Sequence, residues 1–119
     1  MGARANIRVK QSTTKPSYVY LYSHWKGESL TIDLKQALAR KQRWDDESYL
    51  ARIIFCQMVK GYEAEETGFG ISTEITDNNF PVITVDPSKA TVTIEGHKPI
   101  PFQDYIAMPD DDLQRLMDR

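Results

Sequence analysis

The run Tyr20-Leu21-Tyr22-Ser23-His24-Trp25-Lys26-Gly27 gathers phenols, a hydroxyl, an imidazole and an indole in one short stretch. It follows a segment of strand type and leads into residues of helical spacing. Loops at such junctions are common anion sites, because a helix N-terminus offers unpaired N–H groups. Here Tyr22 and Ser23 supply hydroxyls, His24 a ring nitrogen and Trp25 a stacking face, while Gly27 lets a backbone approach closely. A purely structural reading competes: Trp25 caps the core, His24 is solvated and Gly27 makes a turn. Arg40-Lys41-Gln42-Arg43-Trp44 forms a second group. Cations at the end of a helix complement its dipole, yet Arg43 beside Trp44 also suits a phosphate and a stacked base. Arg52 falls mid-helix among apolar neighbours. Its stem can lie over the core, or its guanidinium can pair with Asp45, Asp46 or an anionic ligand. In a third group Gly68 and Gly70 flank Phe69, either to bring strand backbone close to a ligand or to form an edge bulge.

Catalytic machinery is hard to assemble from the remaining residues. His24 and His97 are far apart and have no third ligand at metal-site spacing. Cys56 falls on an apolar helix face and reads as inert core. No Gly-x-Ser-x-Gly elbow is present. Asp110-Asp111-Asp112 reads as the acidic first turn of a helix rather than a metal cluster. A non-catalytic protein without cofactor or metal is therefore expected.

The elements that must position these residues follow from periodicity. Asn6 to Gln11 alternates, with Ile7 and Val9 on one face and Arg8 and Lys10 on the other, as a half-buried strand does. Residues 12–17 connect it to Tyr18-Val19-Tyr20-Leu21-Tyr22, an aromatic and β-branched strand, and the two are expected to pair as an antiparallel hairpin. Leu30, Leu34, Ala37, Leu38 and Lys41 recur at helical intervals after a Ser29 or Thr31 N-cap. A second helix runs from Tyr49 to Val59 after Asp45 or Asp46, with Gly61 in the position of a C-cap glycine. Phe69, Ile71, Thr73 and Ile75 alternate, and Asp77-Asn78-Asn79 suits a turn. Strands at Val82–Val85 and Thr91–Ile94 follow, and the three are expected to form an antiparallel meander. A short helix closes the chain. The order ββααβββ predicts an α+β domain: a mainly antiparallel sheet of about five strands with two helices on one face and a short C-terminal helix. The expected core includes Val19, Leu21, Leu34, Leu38, Ile53, Ile54, Ile71, Val82, Val85 and Val92.

The chain has 119 residues, enough for one domain with its own core. A single cysteine excludes an internal disulfide. No apolar run is long enough to span a membrane, and the opening Met1-Gly2-Ala3-Arg4-Ala5-Asn6 lacks the apolar core of a signal peptide. A cytoplasmic location is expected. The net charge of −2 hides an asymmetry. Nine basic and two acidic residues precede Asp45, and six basic and fifteen acidic residues run from it onward. Either the halves neutralise each other in space, or the basic half forms an anion site. The acidic balance of the whole argues against duplex DNA.

Three segments resemble a family of small proteins encoded in bacteriophages and prophages: Tyr22 to Leu30, Arg43 to Ile53 and Thr67 to Ser72. The resemblance covers roughly residues 18 to 86. Small phage proteins often act by binding, as inhibitors of host enzymes or as sponges that sequester nucleotide signals of antiphage defence. The resemblance thus implies an anti-defence binding protein whose ligand is a small nucleotide. Two other readings stand beside it: a protein–protein inhibitor of a host enzyme, and a nucleotide-cleaving enzyme using His24. The expected pocket joins Tyr22, Ser23, His24, Trp25 and Gly27 to Arg43, Trp44 and Arg52 and to Gly68 and Phe69. A second subunit is a candidate contributor, as in a homo-oligomer. The arginines would hold phosphate and a tryptophan would stack the base.

Overall fold

The computed structural model describes residues 3–11, 15, 17–75 and 77–118. Most of the predicted connection at residues 12–17 and the first two residues lie outside them. Ten elements follow one another: β1 (Ala5–Lys10), β2 (Tyr18–Ser23), α1 (Leu30–Leu38), α2 (Glu47–Met58), β3 (Phe69–Ser72), β4 (Ile83–Asp86), β5 (Thr91–Ile94), β6 (Ile100–Pro101), α3 (Phe102–Ala107) and α4 (Asp110–Arg115). The six strands form one sheet in the order β3-β2-β1-β4-β5-β6. The α+β class is as expected, with the helices and strands grouped rather than alternating.

Register explains why one side of this sheet is covered. Ile71, Leu21, Ile7, Ile83 and Ile94 are paired neighbours across five strands, and Val19, Val9, Val85 and Val92 make a second apolar row. Side chains of a strand alternate between faces, so both rows point the same way. Helices α1 and α2 turn Leu34, Leu38, Leu50 and Ile54 into the same buried cluster. Asp46 caps α2, its carboxylate accepting the Tyr49 N–H at 3.1 Å. Thr31 ties α1 to the C-terminal helices. Its hydroxyl donates to Leu113 O (3.0 Å), and its carbonyl accepts the buried Tyr105 hydroxyl (2.7 Å).

Three expectations need correction. β3, β4 and β5 are not a meander: β3 pairs with β2, and β4 pairs in parallel with β1. The stretch between β3 and β4, residues 73–82, is too long for a tight hairpin turn, and instead of reversing beside β3 it crosses to the far side of β1. Ile71 is not core but 61% exposed, because β3 is an edge strand and α2 leaves an open groove beside it. Val19 and Val82 are half-buried. Cys56 is exposed on the outer side of α2, where Arg52 approaches its sulfur.

The charge asymmetry is neutralised in part. Arg4 pairs with Asp77 (3.7 Å), Lys10 with Asp86 (3.7 Å) and Lys35 with Asp110 (2.9 Å), each joining the basic half to the acidic half.

Candidate functional site

The face of the sheet turned away from the helices carries a different set of residues. Ser72, Tyr20, Arg8, Thr84 and Thr93 are paired neighbours across β3, β2, β1, β4 and β5. All five side chains stand on the face opposite the isoleucine row, and all five residues are only partly buried. Arg8 is held in place at the centre of this row. Its Nε donates to Thr84 Oγ1 at 2.8 Å, and its guanidinium lies 4.3 Å from the centroid of the Tyr18 ring. Such an arrangement presents the remaining guanidinium nitrogens as donors with little rotamer entropy left to lose.

A wall turns part of this face into a hollow. The segment between β3 and β4 crosses over β1 and β2. Asn6, on the helix-free face of β1, donates through Nδ2 to Asp77 O (2.8 Å) and to Asn78 Oδ1 (3.3 Å). Arg4 receives the Asn79 N–H on its carbonyl and meets Asn79 Oδ1 with its Nε. Asn6 is fully buried, and its Oδ1 has no protein partner among the described residues. Pinned there, the segment sets Ile75 and Val82 beside Arg8, Tyr20, Thr84 and Thr93, with Glu95 at the rim. The hollow holds about 290 Å³. The hollow is open to solvent on one side, and its volume falls at the lower end of small-molecule sites. Tyr20 offers a ring, Arg8 donors, the two threonines hydroxyls, and Glu95 a carboxylate that also accepts the Val82 N–H (3.0 Å).

The residues expected to form one pocket fall into three places. Tyr22, Ser23, His24, Trp25, Gly68 and Phe69 do come together at the junction of β2 and β3. Tyr22 Oη lies 3.0 Å from His24 Nδ1. Burial, helped by nearby Asp77 and opposed by Arg4, raises the Tyr22 hydroxyl above its ordinary value, so it keeps its proton. Trp25 packs edge-on against Phe69 (5.3 Å between centroids) and Tyr62 (5.8 Å), the latter outside the expected pocket. The space that a Cβ on Gly68 would take is filled by the Trp25 ring, and at Gly27 by the Phe80 ring. Both glycines therefore admit protein aromatics, not a ligand. Ser23 is buried and receives the Lys26 N–H on its hydroxyl.

Trp44 lies elsewhere, packed on Phe102 at 5.3 Å with its indole N–H donated to Leu38 O (3.0 Å). Arg43 sits over the Tyr49 ring at 4.7 Å. Arg52 lines an apolar groove between α2 and the β2–β3 edge. A base stacked on Trp44 beside Arg43 has no support from this packing, since Trp44 spends its ring and its N–H on the protein.

Comparison with protein-family models, with curated proteins and with solved structures finds no match to this chain. Among the described residues no helix is long and apolar enough to cross a membrane, and no three acidic, histidine or cysteine residues cluster as metal ligands.

Proposed function

We propose that this is a non-catalytic binding protein that holds a nucleobase in the hollow on the helix-free face of its sheet. The observation that carries this reading is the row Tyr20–Arg8–Thr84–Thr93, in register on one face and walled by Ile75 and Val82. This reading puts the nucleotide site on the sheet and not at the Ser23–Gly27 loop. Tyr20 stacks the base for about 1–3 kcal/mol, as aromatic side chains do in single-strand complexes. Arg8 donates to ring or carbonyl acceptors on the base edge, and Glu95 accepts from amino or imino groups, the pairing that side chains use to read bases. A carboxylate at the rim disfavours phosphate inside the hollow, so the base enters and the phosphate stays in solvent. Sequestration of a nucleotide signal is the use that the phage resemblance implies for such a site.

Isothermal titration with mononucleotides, and separately with short single-stranded oligonucleotides, tests this. The expected result is one base-dependent site per chain, weakened at least tenfold by Tyr20→Ala and by Arg8→Ala while the thermal transition is retained. Ligand recovered after denaturation is expected to be intact. Saturation by oligonucleotides only would assign the site to single strands, whereas a cleaved product or binding untouched by both substitutions would defeat the reading.

A further inference from the structure

The two edges of the sheet are unequal. β6 is two residues long and contains Pro101, both devices that blunt an edge. β3, Phe69-Gly70-Ile71-Ser72, has no proline and no charge within it. The N–H of His24 donates to Gly68 O at 2.8 Å, which makes this a hydrogen-bonded pair of the β2–β3 ladder. Such pairs alternate with non-bonded ones in antiparallel strands. Gly70 and Ser72 therefore bond to β2, and the N–H and C=O groups of Phe69 and Ile71 point outward. Among the described residues nothing accepts or donates to them.

The side chains beside this edge are equally unfinished. Ile71 is 61% exposed and borders a groove of about 260 Å³ with Val19, Leu21, Ala51, Arg52 and Phe55. At the N-terminal end of β3 the exposed Trp25 and Tyr62 stand against Phe69. An exposed isoleucine, a groove and an unpaired strand edge together fit the addition of a further strand.

Charge selects the occupant. Between Gly61 and Ile75 lie Glu63, Glu65, Glu66 and Glu74, all exposed, and no lysine or arginine. A second copy pairing antiparallel through β3 would set Glu65 and Glu66 beside the partner copy's Glu74, which like-charge repulsion opposes. Arg52 at the groove repels a cation placed inward. We propose that the β3 edge binds an extended segment of another protein, with apolar residues facing the groove and lysine or arginine at both ends. The surface is separate from the base-binding hollow and does not depend on it.

The test uses the whole protein and two synthetic peptides, one of alternating valines with lysine pairs at both ends and one with glutamates replacing the lysines. The lysine peptide is expected to bind at least tenfold more tightly and to slow amide exchange at Phe69 and Ile71. Ile71→Lys should abolish this binding without moving the thermal midpoint, because the side chain is already exposed. Equal affinity of the two peptides, no binding of either, or protection confined to other strands would overturn the proposal. A concentration-dependent dimer lost on Ile71→Lys would also overturn it, by making a second copy the occupant.

Discussion

Gly68 has φ +103, and the Trp25 ring fills the place of its missing Cβ. Two separate constraints thus meet at one residue: a left-handed backbone that costs an L-residue roughly 1–2 kcal/mol, and an occupied space. Gly68→Ala must displace the indole from Phe69 and Tyr62 as well. The expected loss is about 2–4 kcal/mol in urea denaturation, since overpacking alone costs about 1–3. Gly70→Ala, with nothing near its Cβ, serves as the control and should lose far less. The sequence made the glycines visible, and it placed Gly68 and Trp25 in one candidate site. It did not show that their contact is with each other. The spacing of two residues so far apart in the chain carries no register, and the β2–β3 pairing, Ser23 with Phe69 and His24 N–H to Gly68 O, brings them together.

Turns decide which strands meet, and the β4–β5 connection shows how. Ala90 takes φ +53, its N–H donates to Pro87 O and its carbonyl accepts from Phe102 N. Alanine is strained there, whereas glycine adopts the conformation freely at some cost in unfolded-state entropy. Ala90→Gly should therefore raise stability by about 0.5–1 kcal/mol, read as an upward shift of the thermal midpoint; a loss would mean that the methyl contributes more packing than strain. Most element types were legible in the sequence: the strand alternation of Asn6 to Gln11, the helical stripe of Leu30 to Leu38 and a cap at Asp45 or Asp46, of which Asp46 serves; the short β6 and α3 beside Pro99 and Pro101 were not. Strand partners were legible only for neighbours in sequence: the antiparallel β1–β2 and β4–β5 pairs stand as expected, and the places of β3 and β4 do not. Nothing local in Val82-Ile83-Thr84-Val85 distinguishes a neighbour at β3 from one at β1. The same gap hid the candidate site. Tyr18, Tyr20 and Tyr22 share a face by spacing alone and Arg8 joins them through the β1–β2 hairpin, but Thr84 and Thr93 reach that face only through the parallel β1–β4 pairing.

At the scale of the molecule, the basic N-terminal half is held against the acidic C-terminal half, and Lys10–Asp86 lies at the join of β1 and β4. Burial alone would raise the Asp86 carboxyl. The Ser88 side chain, the Lys10 ammonium and the amides of Lys89 and Ser88 outweigh it and hold Asp86 below the ordinary aspartate value. A carboxyl with a lower pKa folded than unfolded stabilises the fold above the unfolded value, about 3.9, and that contribution is lost as pH falls through the folded value. The thermal midpoint of the wild-type protein should thus drop on acidification below about pH 4, and Asp86→Asn should flatten that drop while lowering the midpoint at pH 6. A wild-type and variant pair with parallel pH profiles would count against the assignment.

The parallel pairing of β1 with β4 also has a bearing on how the chain is made. During synthesis β1 and β2 emerge first, and α1, α2 and β3 follow before the tenth residue's strand meets its second neighbour at Ile83. At about 5–20 residues per second that wait lasts several seconds. For most of them β1 has only β2 to pair with, β3 being added shortly before Ile83 follows, and β1 stays at the rim throughout. The strand that ends at the centre of the finished sheet is therefore, for a time, the one most open to a stray partner, and a chaperone that shields Ile7 and Val9 would act in that interval.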